Sequence, residues 1–445
     1  MDNLPPSLLL EILSRLADSS DLTRCRLTCK TLNSVSYDVT SLRLLCTYQR
    51  YAYSRAHPSS TPFKSLVTRF ITRMSQLDSV SLGVDDSLTG LSFDDVEDEE
   101  NDLHLTDAEF VSDWLISVEK SLKTLSFVDF WVQACWRRSY VLSLISNHCL
   151  RLNELVVKNA WLSMEGVTQM SSLTSLTLEF IRLDDENLSK LNECFPCLQT
   201  LNLLGVGGLL DPKICFKHLK SCRWTISNAP LSLTVVAPEL VSLKLKCVKP
   251  RTLVLETPLL SDFNLTLETA DSFVIRELRH LQKLRVELNL LCDLVSLFPC
   301  CVTVKALSLD STNKVKVVGA EYPFLELIYD VFPNISSLSL GPGVYSEMEA
   351  SFRVGKLYEG KGLKFLEDFT AHLIISDVEV TLSLISFIIG SCSNLRRVSL
   401  LIHRELDPVT ASSFISRCSG LCFRGQLKWG FWKEGSKDVW VSDIV

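Results

Sequence analysis

The chain has 445 residues, 47% of them hydrophobic, and a formal net charge of -7. That length holds two or three average domains, or one elongated repeat domain with a small appendix. The negative balance argues against a general nucleic-acid binder.

Pro5, Pro6, Glu11 and Arg15 interrupt the apolar start and no basic leader precedes it, so no signal peptide is expected. The longest apolar stretch, 380–389, is about half a bilayer span and lies close after Asp377 and Glu379. The chain is therefore read as intracellular, in cytoplasm or nucleus, with neither membrane nor nucleic acid among its partners. Its 16 cysteines are read as reduced thiols, and the N-x-[ST] matches at Asn187, Asn264 and Asn334 as chance.

Residues 4–34 read LPPSLLLEILSRLADSSDLTRCRLTCKTLNS. Pro5 and Pro6 suit a first helical turn, where a missing N–H costs nothing. Leu8, Leu9, Ile12, Leu13 and Leu16 then recur at helical spacing. Asp18, Ser19, Ser20 and Asp21 break that helix, and Ser20 or Asp21 can cap the next one. Leu22, Cys25, Leu27, Cys29 and Leu32 supply apolar faces for two further short helices. Three such helices cannot bury all this surface against each other. The surplus meets either the rest of the chain, as a cap, or a partner.

The Leu4-Pro5 start, the Leu8/Leu9, Ile12-Leu13 and Leu16 ladder, and Leu27-Thr28-Cys29-Lys30 closely resemble the F-box over about residues 2–40. The chain departs from it at Thr28, usually valine, and at Leu32, usually tryptophan. The resemblance implies docking to a Skp-type adaptor and through it to a cullin. The adaptor-binding set would be Leu4, Pro5, Leu8, Leu9, Ile12, Leu13, Leu16, Leu27, Cys29 and Leu32.

From residue 77 one frame recurs: apolar, two residues, apolar, one residue, apolar. It reads Leu77-Val80-Leu82, Leu122-Leu125-Phe127, Leu152-Leu155-Val157, Leu173-Leu176-Leu178, Leu198-Leu201-Leu203 and Leu219-Cys222-Trp224. It continues as Leu240-Leu243-Leu245, Leu260-Phe263-Leu265, Leu281-Leu284-Val286, Val304-Leu307-Leu309, Ile335-Leu338-Leu340 and Leu395-Val398-Leu400. Leu363-Leu366 reads as another copy whose third position slips to Phe369. Between Leu152 and Val304 the period is 20 to 25 residues, the leucine-rich-repeat signature of one short strand and one return segment per repeat. Apolar spacing makes the returns 189–195, 382–389 and 409–416 helical.

Between the first two frames, the acidic run Asp94 to Asp102 reads as a solvated insertion loop. Cys194-Phe195-Pro196-Cys197 lacks a second CxxC, and one repeat position accepts Cys149, Phe195, Cys301, Phe332, Cys392 or Cys418. These thiols are expected to be packing, reduced and buried. Gly355-Lys356-Leu357-Tyr358-Glu359-Gly360-Lys361 imitates a P-loop, but Gly362 replaces the hydroxyl needed for Mg²⁺. No metal cluster, cofactor motif or catalytic constellation emerges, so an enzyme is not expected.

In such repeats the residues between frame positions face the concave side: Thr124 and Ser126, Glu154 and Val156, Ser175 and Thr177, Thr200 and Asn202. Further along, Arg223, Lys244, Lys246, Lys283 and Arg285 occupy such positions, with Lys244 and Lys283 read as sharing one frame place and Lys246 continuing the row. They are either solvated charge or a target-binding strip for an acidic or phosphorylated segment. A small polyanion, as in the hormone-receptor branch of the family resembled, is the other occupant such a strip would suit. Trp429, Phe431, Trp432 and Trp440 read as a cap on the end of the array.

The expected architecture is α/β: a three-helix F-box at 1–45, a linker or first cap at 46–76, about 12–13 irregular repeats at 77–425 with the acidic insertion near 94–102, and a C-terminal cap at 426–445. The repeats would form a curved solenoid with a parallel sheet on its concave face. This organisation resembles the F-box/leucine-rich-repeat proteins abundant in plants, over nearly the whole chain. It implies a substrate receptor of a Skp–cullin–F-box ubiquitin ligase that hands its target to ubiquitination and proteasomal degradation. The alternative is a repeat scaffold whose first helices only cap the array.

Overall fold

Local chemistry starts the three N-terminal helices. Pro6 opens α1 (Pro6–Ser14). Asp18 starts α2 (Ser19–Thr28) by accepting the Ser20 N–H at 3.3 Å. The Cys29 sulfur starts α3 (Lys30–Val35) by accepting the Leu32 N–H at 3.4 Å. The computed structural model describes residues 4–16, 18–57, 60–88, 91, 102–226, 229–268, 272–275, 278–289, 293–298, 301–311, 324–353, 363–421, 423–436 and 438–440. They belong to two units, Met1–Pro238 and Glu239–Val445.

In the first unit, Leu9 and Leu13 of α1, Leu22 of α2 and Leu32 of α3 are buried as α1 and α2 pack on α3. α4 (Tyr48–Ala56) and α5 (Phe63–Ile71) follow, with Phe63, Val67 and Ile71 of α5 inward at four-residue spacing. Arg26 ties α2 to α5: its guanidinium lies 4.5 Å from the Tyr37 ring centre and 4.3 Å from that of Phe70.

The strands of this unit are β1 (Ser41–Cys46), β2 (Ser79–Val84), β3 (Thr124–Val128), β4 (Arg138–Ser139), β5 (Glu154–Lys158), β6 (Trp161–Leu162), β7 (Ser175–Glu179), β8 (Thr200–Val206), β9 (Lys213–Cys215), β10 (Ser221–Ile226) and β11 (Ser232–Val236). A parallel sheet runs β1-β2-β3-β5-β7-β8-β10. Its register stacks Leu42, Val80, Leu125, Leu155, Leu176, Leu201 and Cys222 in one column. Leu44, Leu82, Phe127, Val157, Leu178, Leu203 and Trp224 make a second column, and both are buried. A slip of one residue would turn every column outward, so the frame leucines set the register.

The second unit continues with β12 (Ser242–Cys247), β13 (Thr252–Glu256), β14 (Asp262–Leu267), β15 (Ser272–Ile275), β16 (Lys283–Leu288), β17 (Ala306–Ser311), β18 (Ser337–Leu340), β19 (Asp368–Leu373), β20 (Arg397–His403), β21 (Gln426–Trp432) and β22 (Val439–Trp440). β12-β14-β16-β17-β18-β19-β20-β21 pair in parallel, and β22 is antiparallel to β21. Buried columns again run through the frames, from Leu243 to Val398 and from Leu245 to Leu400.

Three details differ from the sequence reading. Val39-Leu42-Leu44 is a full frame, so the sheet starts one strand before Leu77-Val80-Leu82. In β19 the frame is Leu366-Phe369-Ala371, because Phe369 pairs with Leu338 and Ala371 with Leu340. Ala371 is fully buried at that place, and its small size hid it from a pattern of large apolar residues. The returns also divide by length. Helices fill Asp185–Cys194, Val378–Ser391 and Pro408–Ser419 as expected. Where successive frames, such as Cys222 to Leu243 and Phe263 to Leu284, are only about 21 residues apart, the returns are strands: β9 pairs with β11, and β13 with β15. So short a return leaves little room for a three-turn helix.

Cys149, Cys392 and Cys418 are buried, and burial pushes the Cys149 and Cys418 thiols up to about 12. Cys301, expected to match them, is only half-buried; its N–H donates to the Val331 carbonyl at 2.8 Å, whereas that of Cys149 closes its own helix on the Ile145 carbonyl. Among the described residues no helix is long and apolar enough to cross a membrane, and no cluster could hold a metal ion. The P-loop-like run 355–361 and acidic residues 94–101 lie outside the described residues.

Candidate functional site

Helix α1 divides its leucines between two jobs. Leu9 and Leu13, four residues apart, are both 2% exposed and point at α3. Leu8 and Ile12, also four apart, face outward with 46% and 49% of their surface exposed, and Leu4 just ahead of the helix keeps 39%. Leu4, Leu8 and Ile12 thus make one apolar stripe, held from behind by the buried pair. Exposed Pro5 adjoins the stripe, and Leu16 is half-buried beyond its end.

The rest of the expected adaptor set falls elsewhere. Leu27 is 84% exposed and lines a groove with Tyr37, Tyr53 and Phe70, to which α1 contributes nothing. Cys29 is half-buried and caps α3, and Leu32, at 6% exposure, packs inside the helices. Thr28 turns its hydroxyl back to the Cys25 carbonyl, 2.7 Å away. Asp102, the last residue of the acidic run, is buried instead of solvated: it accepts the Lys64 N–H at 2.8 Å and so caps α5.

The basic strip changes character once its register is known. In the second unit, Lys244 aligns through Asn264 with Arg285, whereas Lys283 aligns with Asp262 and Ser242. Lys244 and Lys283 therefore do not share a frame place; Lys244 and Arg285 do. The row of Lys246 runs through Thr266 to Glu287 and then Asp310, so its sign reverses. All four cations are exposed. Arg223, in the first unit, is exposed on β10 in the row of Asn202. Burial pushes the Asp310 carboxyl up, although it accepts the Ser311 N–H at 2.8 Å and the Gly343 N–H at 3.2 Å.

The C-terminal aromatics are built into strands. Trp429 pairs with Leu400 and Trp440 with Gly430. Trp432 is buried, donates to the Leu373 carbonyl at 3.3 Å and meets the His403 ring edge-on at 4.7 Å.

Comparison with known proteins bears on both ends of the chain. The model of the F-box-like family matches residues 1–44. An F-box/LRR-repeat protein of Arabidopsis thaliana is 47% identical over 446 residues, covering 99% of this chain and 100% of that protein.

Proposed function

The chain belongs to the F-box/LRR-repeat family, and from that premise we propose that it is the substrate-recognition subunit of a Skp–cullin–F-box ubiquitin ligase. The observation that carries the reading is the outward stripe of Leu4, Leu8 and Ile12 on a helix already anchored by Leu9 and Leu13. Large apolar side chains aligned on one exposed helix face suit burial against a partner's groove. The helices would dock the Skp-type adaptor and the repeats would hold a target protein, in cytoplasm or nucleus. Bond-making would belong to the ubiquitin-conjugating enzyme, to which this chain contributes proximity and orientation.

The test is co-purification with the adaptor. Leu8→Lys with Ile12→Lys places two charges in an apolar contact, and should abolish adaptor binding while the far-ultraviolet dichroism stays unchanged. Leu13 is unsuited to this test, since a buried lysine there would unfold the helices. Adaptor retained by the double variant would overturn the reading. The packing of α2 on β1 favours a second reading, a scaffold whose helices only close the sheet. In that case the wild-type chain captures no adaptor.

A further inference from the structure

Three strand ends in the first unit repeat one backbone move. Asn159, Phe180 and Gly205 each stand two residues beyond a third frame position, Val157, Leu178 and Leu203. All three have positive φ, of 62°, 51° and 65°. Two residues further on, the chain enters a narrow ladder: Arg138 of β4 is in parallel register with Trp161 of β6, Trp161 bridges Arg182, and Arg182 bridges Gly207.

Glycine and asparagine tolerate the left-handed turn, but phenylalanine is strained there by about 1–3 kcal/mol. Burial does not offset the strain, because Phe180 stays 54% exposed. Its ring covers Gly205, where an added Cβ would come within 2.7 Å, and Lys158 lies 5.5 Å from the ring centre. A bulky aromatic held exposed in a conformation that suits glycine is costly for folding alone.

Residues in register on neighbouring parallel strands project to the same side, about 4.8 Å apart. Arg138, Trp161 and Arg182 therefore form one row. The Arg182 guanidinium lies 4.2 Å from the Trp161 ring centre. A guanidinium laid on an indole keeps its N–H edge free for a bidentate acceptor. Arg138 and Arg182 are exposed, and neither has an acidic partner among the described residues.

We propose that the Arg138–Trp161–Arg182 row, with Phe180 as its apolar contact, docks an extended acidic segment of a protein partner. The two arginines, whose backbone positions are two rungs or about 10 Å apart, receive carboxylate or phosphoserine groups two or three residues apart. Two cations are too few to hold a nucleic-acid backbone by counterion release, so the row suits a peptide. This site goes beyond the adaptor contact, and it can fail while that contact stands.

The experiment is a fluorescence anisotropy titration of the full chain, with adaptor co-purification run in parallel. The probes are a fluorescein-labelled peptide of alternating glutamate and serine, its phosphoserine form, a glutamine-for-glutamate control and a single-stranded oligonucleotide. Saturable binding of an acidic peptide is expected, weakened about tenfold or more by Arg138→Glu with Arg182→Glu. The milder Arg138→Gln with Arg182→Gln, which keeps side-chain length, should weaken it in the same direction. Phe180→Asn, which keeps the turn as Asn159 does, should weaken binding without lowering the melting temperature. Lys217→Glu with Lys220→Glu, an equal charge change at exposed lysines outside the row, should leave peptide binding unchanged. The proposal is overturned if no acidic peptide saturates, if the arginine variants bind as wild type, if the glutamine control binds equally, or if the oligonucleotide binds more tightly. Loss of the adaptor from the wild-type chain would instead count against the ligase reading alone.

Discussion

Asp129, just past the end of β3, is 1% exposed and ties the segment after the acidic run to the sheet. It accepts the Leu105 N–H at 2.8 Å, the Thr106 N–H at 2.9 Å, the Thr106 hydroxyl at 2.6 Å and the Phe130 N–H at 3.0 Å. Burial outweighs these bonds and pushes its pKa from 3.8 up to about 6. A carboxyl that holds its proton more tightly when folded contributes stability that falls as pH rises from about 4 to about 6. His104 in the same segment has the opposite sign. Burial, then nearby Lys64, push it from 6.5 down to about 4, so its contribution grows as pH rises across that interval. Asp129→Asn would turn an amide donor toward the Thr106 donors and cost about 1–3 kcal/mol, lowering the melting temperature by several degrees. It also removes the falling component, so melting temperature should rise more steeply between pH 4.5 and 6.5 than in wild type. His104→Phe should change the slope in the other direction. Equal slopes in wild type and Asp129→Asn would refute the assignment.

At the scale of elements, close approach decides which glycines can change. Asp310 joins the end of β17 to the start of the helix Pro342–Arg353 through the Gly343 N–H. A Cβ on Gly343 would stand 2.8 Å from the Ser311 carbonyl oxygen, which belongs to a strand and cannot turn aside. Gly390, in the helix Val378–Ser391, has nothing within 4 Å of where its Cβ would be. Gly343→Ala should therefore lower the melting temperature, and Gly390→Ala should raise it, through about 1 kcal/mol of helix propensity. Thermal melts of the two variants check this, and a stabilised Gly343→Ala would show that strand and helix are not tightly joined. The same logic separates the faces of α1. Leu8 and Leu9 are neighbours in sequence, yet about 100° apart around the helix, and only packing on α3 decides which is inside.

For the whole molecule, charge is distributed by strand register and not by runs in the sequence. The net charge is -7, yet the second unit presents Lys244 and Arg285 in one row with Asn264 between them. Asp262 beside Lys283, and Glu287 in the row of Lys246, dilute the potential on either side. Lys244→Glu with Arg285→Glu should therefore weaken target capture more than Lys283→Glu does. The loss should be greatest at low ionic strength, where exposed charges act over a longer range. Target capture at low and high salt, with adaptor binding as the control, measures it. Equal capture by all variants at both salt concentrations would leave these cations as solvated surface.

The repeating frame was legible because a buried strand face demands an apolar residue at every second position, and a helix demands one every three or four. Those periods hold for any packing partner, so the strand frames, the helical returns and the three opening helices could be read from the residues alone. Val39-Leu42-Leu44 and Ala371 escaped for reasons of context: the first sits beside the opening helices, and the second is too small to stand out. The sites were less legible. Which of Leu8, Leu9, Ile12 and Leu13 is exposed depends on what covers the helix, and Lys244 meets Arg285 instead of Lys283 because the register carries it there. Arg138, Trp161 and Arg182 are more than 20 residues apart in sequence, carry no common motif, and share a row only because successive repeats stack. Periodicity is a property of one segment against its own core, whereas a surface row is made between segments, and only the folded chain brings those together.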